Sequence, residues 1–358
     1  MSGGSTAATD FSLRASVVIV NYNAGQKLIR CLDSVIVCLP ADTELILVDN
    51  ASSDGSTDEA AARFPSVKVL RSGGNPGFGA GANLGARSAR GEQLIFLNPD
   101  TRVEPGWVEG LLEPLDRDPK AGLATSKILQ ADDPARISAC GNSVHISGLT
   151  LARGMGAPRE AFREVEPVDA VSGAAFAIRR KVFETLAGFD EEFFLYVEDT
   201  DLSLRARLAG WLCLFAPKSV VYHDYTFRLT ARKVFYQERN RYRMLLKCLR
   251  WPSLFVLLPS EILAEFVTWG FVLIRDRANA ANKLQAYASI LASLPSVLRQ
   301  RRVVQELRTI TDRTLLARTG FRLDFGQVAS GFLRAAARWV FDPLFFLLKG
   351  LTLGLVWW

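Results

Sequence analysis

Residues 16–20 form a β-branched run that stops at Asn21-Tyr22-Asn23, the pattern of a strand buried on both faces. A helical period follows over 26–39, and a second apolar run at 44–48 ends at Asp49-Asn50. The polar stretch 51–56 supplies capping residues for a helix predicted over 57–64. A third strand is predicted at 67–70, a glycine-dense loop then leads into a helix through 83–89, and a fourth strand at 93–97 ends in Asn98-Pro99-Asp100. Strands alternating with helices over short connections predict a parallel α/β sheet covered on both faces. Ligands of such sheets bind beyond the carboxyl ends of the strands, where these polar clusters fall.

From about 121 to 171 the periodicity weakens and Gly, Asp and Arg accumulate. An apolar run at 171–178, a helix at 180–186, a helix through Leu208 and a strand near 211–216 follow, with no internal repeat. Beyond Leu229 the chain reads as helical. Residues 251–274 are apolar apart from Glu261, Glu265 and a few Ser/Thr, and carry Pro252 and Pro259; residues 342–358 hold Phe345-Phe346-Leu347-Leu348 and a final Trp357-Trp358. A spanning helix wants about 20 apolar residues in a row, and both segments are broken by charge or proline. With Arg299, Arg301, Arg302, Arg308, Arg313 and Arg318 between them, they predict a peripheral or monotopic helical platform on an anionic membrane surface. Trp251, Trp269, Trp339, Trp357 and Trp358 are then expected at headgroup level.

Composition narrows the class. Of 358 residues 49% are hydrophobic and 22% charged, which excludes a disordered or collagen-like chain. Residues 1–230 carry a net charge of −6 and residues 231–358 a net of +12, so two different jobs are expected of the two parts. The rear arginines are interleaved with long aliphatic runs and no nucleic-acid motif, so no nucleic-acid partner is expected. Five scattered cysteines without a Cys-x-x-Cys pair fit buried thiols in a reducing compartment. Residues 1–15 lack an apolar segment of the secretory kind, which points to the cytoplasmic face.

Asp49, Asp54, Asp100, Asp199 and Asp201 all fall at or just after strand ends. Carboxylates converging on one sheet edge suit a divalent cation and a phosphorylated ligand, because hard cations take oxygen ligands. Asp100 is the leading metal ligand, with a simple turn residue beside Pro99 as the other reading. The loop from Gly73 to Gly85 is no dinucleotide fingerprint, since that motif follows the first strand of its βαβ unit. Its glycines still suit close approach to a nucleotide or phosphate.

The runs Val17-Val18-Ile19-Val20-Asn21-Tyr22-Asn23, Val48-Asp49-Asn50-Ala51-Ser52-Ser53-Asp54-Gly55-Ser56, Asn75-Pro76-Gly77-Phe78-Gly79, Asn83-Leu84-Gly85, Leu97-Asn98-Pro99-Asp100, Ser172-Gly173-Ala174, Gly188-Phe189-Asp190-Glu191 and Tyr196-Val197-Glu198-Asp199-Thr200-Asp201-Leu202 come in a specific order and spacing. Together they resemble the family 2 inverting glycosyltransferases over about residues 16–245, and within them the rhamnosyltransferase-like branch. Taken with the composition of the rear part, the resemblance implies a GT-A fold: a Rossmann-like mixed sheet flanked by helices, followed by a C-terminal helical, membrane-associated region. It divides the chain into a disordered leader (1–15), a nucleotide-sugar-binding half (16–120), an acceptor-binding and catalytic half (121–230) and the basic helical region (231–358).

The same resemblance implies roles. Asp199 matches the catalytic base, with Glu198 beside it. Asp49 would accept a hydrogen bond from the pyrimidine N–H of the donor, with Asn21, Asn23, Asn50, Asp54, Asn75, Gly77, Asn83 and Asn98 around the nucleotide. Asp100 matches the last acid of the DxD motif and, with His223, would hold Mg²⁺ or Mn²⁺; Asp201 and Gly173 would shape the acceptor site. The first DxD acid is Asn98 here, which weakens the metal ligand set, and the Gln-x-x-Arg-Trp element of processive synthases is replaced by Gln237-Glu238-Arg239-Asn240-Arg241, which implies transfer of one or a few sugars rather than a long polymer. The reading is a membrane-associated transferase moving L-rhamnose from dTDP-L-rhamnose to a polyprenyl-diphosphate-linked or cell-surface glycan. A UDP-hexose or UDP-N-acetylhexosamine donor, and an inactive transferase-like scaffold, are the alternatives.

Overall fold

The computed structural model describes residues 13–225, 230–275, 277–323, 335 and 337–358. The first half alternates β1 (Leu13–Asn21), α1 (Gln26–Cys38), β2 (Thr43–Asp49), α2 (Ser56–Arg63), β3 (Lys68–Arg71), α3 (Phe78–Ser88) and β4 (Gly91–Leu97), then β5 (Thr101–Val103) and α4 (Trp107–Arg117). The leader expected over 1–15 lies, for residues 1–12, outside the described residues, while Leu13–Ala15 already belong to β1. β1 pairs in parallel with β2 on one side and β4 on the other, and Val17, Val18 and Ile19 are almost wholly buried. Burying a side chain of that size stabilises the fold by about 1.5–3 kcal/mol. α1 answers with Leu28, Ile29, Cys31, Leu32 and Val35 on one face at helical spacing.

The second half adds β6 (Ala121–Gln130), the short strands β7 (Ile137–Ala139), β8 (Asn142–Val144), β9 (Thr150–Ala152) and β10 (Glu166–Pro167), then β11 (Ala175–Arg179), α5 (Arg180–Thr185), α6 (Glu198–Leu208) and β12 (Leu212–His223). Both halves share one sheet, in the order β10-β12-β6-β11-β4-β1-β2-β3. The sheet is mixed, as the resemblance implied, because β11 runs antiparallel between β4 and β6.

Three expectations from periodicity need correction. The weakly patterned region opens with β6, a fully interior strand: its polar Ser126 hydrogen-bonds Ser219 at 2.8 Å, and Lys127 donates to the carbonyls of Arg159 and Ala161 at 3.0 Å, so polarity masked the burial. Gly85 in α3 serves helix–sheet packing, since a Cβ there would lie 2.4 Å from Cγ1 of Val18. And 251–274 is one uninterrupted helix through Pro259.

That helix belongs to the rear region: α7 (Ala231–Cys248), α8 (Trp251–Arg275), α9 (Ala280–Ala292), α10 (Leu294–Glu306), α11 (Asp312–Ala317) and α12 (Asp342–Leu355). The two acids of α8 are turned inward. Glu261 and Glu265 meet the buried Arg241 of α7 at 2.7 and 2.5 Å. The opposite face shows Phe255, Leu258, Ile262, Phe266 and Leu273 to solvent at helical spacing, continued by Phe346, Leu347 and Leu351 of α12. α8 is, among the described residues, the one helix long and apolar enough to cross a membrane.

Two of the arginines assigned to the platform surface are structural. Arg301 donates to the carbonyls of Leu246 and Leu249, and Arg308 pairs with buried Asp312 at 2.6 Å. Two of the five tryptophans are likewise tied down, Trp269 donating to Tyr287 and Trp358 to Ser253.

Candidate functional site

The site lies beyond the carboxyl ends of β1, β2 and β4. Asp49 ends β2 opposite Asn21 and is buried. Its Oδ1 accepts hydrogen bonds from the Thr57 hydroxyl at 2.9 Å and the Ser52 N–H at 3.1 Å, while Oδ2 faces Arg71 at 3.4 Å. One carboxylate edge is therefore fixed, and the other sits beside an exposed cation.

Most of the neighbouring side chains expected at the nucleotide hold loops. Asn21 is fully buried and donates to the hydroxyls of Ser52, Ser56 and Thr57 at 2.9–3.1 Å, tying β1 to α2. Asp54 spends one oxygen on the Ser56 N–H and hydroxyl and the other on the Gly25 N–H. Burial pushes its pKa up, but these hydrogen bonds outweigh it and hold the carboxyl below its ordinary range. Asn50 donates to the Gly77 carbonyl at 2.9 Å, and Asn75 accepts the Gly77 N–H at 3.1 Å. Asn83 is engaged with the Phe189 backbone and Glu191. Asn23, in the left-handed region at φ 54°, accepts from Ser53 at the exposed rim.

Asp100 follows β4, and β5 pairs antiparallel with the end of β12 so that His223 comes to face it. Nε2 of His223 lies 3.1 Å from Oδ1 of Asp100, and Tyr225 stacks on the imidazole with ring centroids 5.3 Å apart. Burial alone would raise the Asp100 pKa, but the hydrogen bond and charge of His223, with help from Lys27, hold it below the ordinary range. A cavity of about 270 Å³ lined by Lys27, Arg30, Thr101 and Tyr222 opens beside the carboxylate. Among the described residues no three His, Cys, Asp or Glu side chains gather as a metal cage. The carboxylate fits a cation that takes its remaining ligands from a phosphorylated substrate, the usual habit of Mg²⁺, and the imidazole can join it when Nε2 is neutral and leaves its contact with Asp100. Asn98 stands at the same edge, its N–H donating to the Ala174 carbonyl at 3.0 Å.

That bond brings the Gly173–Ala174 turn to the site. The Gly173 N–H donates to Oδ2 of Asp199 at 2.7 Å, while Thr200 donates to Oδ1 through its N–H at 2.6 Å and through its hydroxyl at 3.2 Å. Gly173 thus orients Asp199 through its backbone. Burial raises the Asp199 pKa, with these donors working against it. Glu198 is buried, its Oε2 without a hydrogen-bond partner among the described residues, and burial followed by the Asp199 charge pushes its pKa up as well. Asp201, expected at the acceptor, is fully buried and bound by Arg205 and Lys247, each at 2.8 Å, so it belongs to the interior.

Sequence reasoning missed Arg71 beside Asp49 and Asn142, whose amide lies 3.4 Å from Oδ2 of Asp199. Asn142 sits in the weakly patterned stretch, and nothing in its neighbourhood singles it out. It also passed over Asn240, whose place inside Gln237-Glu238-Arg239-Asn240-Arg241 was read only for what it lacked.

A mixed α/β sheet with carboxylates gathered at its strand ends suits a phosphorylated ligand, and known proteins narrow the class. The sequence profile of glycosyl transferase family 2 matches residues 16–187. N-acetylglucosaminyl-diphospho-decaprenol L-rhamnosyltransferase of Mycobacterium tuberculosis is 34% identical over 229 residues, covering 58% of this chain and 75% of that protein. S. aureus TarS 1-349 in complex with UDP-GlcNAc superposes with a TM-score of 0.56 at 15% identity, over 96% of this chain and 89% of that one. GalNAc-T7 with UDP, GalNAc and Mn²⁺ superposes with a TM-score of 0.53 at 24% identity, over 66% and 48%. The chain belongs to the family 2 glycosyltransferases. It is a rhamnosyltransferase-like enzyme of the GT-A fold.

Proposed function

We propose that this enzyme moves a single L-rhamnose from dTDP-L-rhamnose onto a polyprenyl-diphosphate-linked glycan at the cytoplasmic face of the membrane, with inversion at the anomeric carbon. The observation that carries the reading is the 34% identity over 229 residues to the N-acetylglucosaminyl-diphospho-decaprenol L-rhamnosyltransferase. Asp49 accepts the N–H of the pyrimidine ring, a contact open to a carboxylate and closed to an apolar side chain. Asp199, held by Gly173 and Thr200, takes the proton of the acceptor hydroxyl as that oxygen attacks the anomeric carbon. The C–O bond to the diphosphate breaks on the opposite face, its electron pair leaving with the nucleoside diphosphate. Glu198 stays protonated behind Asp199 and keeps a second negative charge away from the incoming oxygen. Asp100 and His223 would hold Mg²⁺ or Mn²⁺, which when bound neutralises charge on the leaving diphosphate.

The apolar faces of α8 and α12 rest on the membrane and bring the site to a lipid-linked acceptor. Inward pairing of Glu261 and Glu265 with Arg241 supports this, because it clears α8's outer face of acids.

Thermal stability against dTDP-rhamnose and UDP-sugars, with and without Mn²⁺, tests the donor. A ligand at a hundred times its Kd stabilises the folded state by about 2.7 kcal/mol. A shift with dTDP-rhamnose that EDTA abolishes, followed by transfer of labelled rhamnose to a lipid-linked N-acetylglucosamine acceptor, is the expected result. A shift with UDP-sugars alone overturns the donor assignment, and no shift with any nucleotide returns the scaffold reading.

A further inference from the structure

The helix that carries Glu198 and Asp199 is entered through a strained turn. Phe194, Tyr196 and Val197 all have left-handed backbones, at φ 63°, 67° and 71°. None is a glycine, and such conformations persist only where the surroundings over-determine them.

The surroundings here are specific. The carbonyls of Phe193, Leu195 and Tyr196 all accept from the same group, Nδ2 of Asn240, at 3.0, 3.0 and 2.8 Å. The carbonyl between them, Phe194, accepts from the Phe78 N–H at 2.8 Å. Four consecutive carbonyls of the turn are thus satisfied from outside it. Asn240 is fully buried, and its orientation is itself determined: Oδ1 accepts from Nε of Arg239 at 2.9 Å, so the amide nitrogen must face the carbonyls. Arg239 reinforces the grip by donating to the carbonyls of Glu192 and Phe193. The next residue, Arg241, is anchored to Glu261 and Glu265 of α8, which makes this turn of α7 a fixed post.

We propose that Asn240 is a positioning residue for sugar transfer: its amide clamps the 193–196 turn and so sets where the acid pair at the start of α6 meets the acceptor. The inference rests on Glu198–Asp199 being the acid pair of the proposed reaction. An aspartate at 240 would keep the shape yet lose both amide protons and place a carboxylate against three carbonyl oxygens. Displacing a catalytic group by about 1 Å costs on the order of a hundredfold in rate. Asp49 and the Asp100–His223 pair stand on other elements, and their side-chain hydrogen bonds go to Ser52, Thr57, Arg71 and each other rather than to this turn.

The test uses the full chain with the sugar nucleotide that the wild type turns over, comparing Asn240→Ala, Asn240→Asp, Arg239→Ala and Asp199→Asn. Expected are a fall in kcat of about a hundredfold for both Asn240 variants and about tenfold for Arg239→Ala, with the donor KM and the affinity for free nucleoside diphosphate within about twofold of wild type. Wild-type kcat in a folded Asn240 variant overturns the proposal, and so does a parallel loss of kcat and nucleotide affinity, which would mark a general loosening. If neither Asn240 variant folds, Arg239→Ala decides on the same two readouts. Full activity in Asp199→Asn would instead overturn the proposed function, and inactivity of that variant beside a fully active Asn240→Ala would overturn this inference alone.

Discussion

A Cβ placed on Gly77 would lie 2.3 Å from the carbonyl oxygen of Phe194. The loop after β3 and the turn before α6 therefore touch backbone to backbone, and the contact ties the nucleotide side of the site to the catalytic side. Gly77 also has φ +92°, a region closed to most side chains.

Gly77→Ala consequently carries two penalties, backbone strain and a clash with an atom that belongs to the main chain. A loss of at least about 2 kcal/mol is expected, readable as a lower midpoint in chemical denaturation. Activity should fall further than stability, because relief of the clash displaces the Phe194 turn.

Asp199→Asn should lower kcat by about 10²–10⁴-fold, the usual worth of a positioned general base. The amide keeps the shape but turns its NH2 toward one backbone donor, of Gly173 or Thr200, so some stability is lost, while nucleotide affinity measured by calorimetry in the folded variant should stay at the wild-type level. Loss of nucleotide binding in a folded variant would remove the base assignment.

Glu198→Gln should stabilise the protein at high pH. The buried Glu198 carboxyl has a raised pKa, so the folded state binds its proton more tightly than the unfolded chain does. Stability is then lost as pH rises from the ordinary carboxylate range through the folded-state value. The glutamine has no proton to lose, so its advantage in melting temperature should be present at pH 9 and shrink toward pH 5. A constant difference across that range would contradict the buried protonated acid.

His223→Ala should weaken Mn²⁺ activation by about 10–100-fold in metal affinity, and Asp100→Asn should weaken it at least as much. Titration of activity against Mn²⁺ checks both, and unchanged half-saturation in either variant would remove that residue from the metal site.

Replacing Phe255, Ile262 and Phe266 together with serine should cut liposome binding by at least about tenfold, since burying one such side chain is worth about 1.5–3 kcal/mol. Flotation with anionic vesicles at low salt measures it. Wild-type binding by the triple variant would move the contact off α8.

Much of the sheet was legible from alternation alone. Val17–Val20 and Leu94–Leu97 have no polar residue to interrupt them, and their ends at Asn21 and Asn98 mark the functional edge. β6 was not legible, because Thr125, Ser126 and Lys127 are polar and their burial depends on partners 32 to 93 residues away.

The sequence by itself determined the family, the strand-end acids and the apolar character of 251–274, because each depends on residue type at short spacing. Only the tertiary structure decided what those residues touch. Asp199 and Asp201 stand two places apart in the chain, yet one meets Gly173 at the site and the other is neutralised by Arg205 and Lys247 in the interior. The two histidines divide the same way: His223 faces Asp100, while His145 is buried edge-on against Phe345. Glu261 and Glu265 seemed to break an apolar helix, and folding turned them toward Arg241 instead. The reason is common to all three. A side chain's charge and reach are properties of its residue, but its partner comes from distant parts of the chain, and burial makes an ionisable group's state depend on that partner.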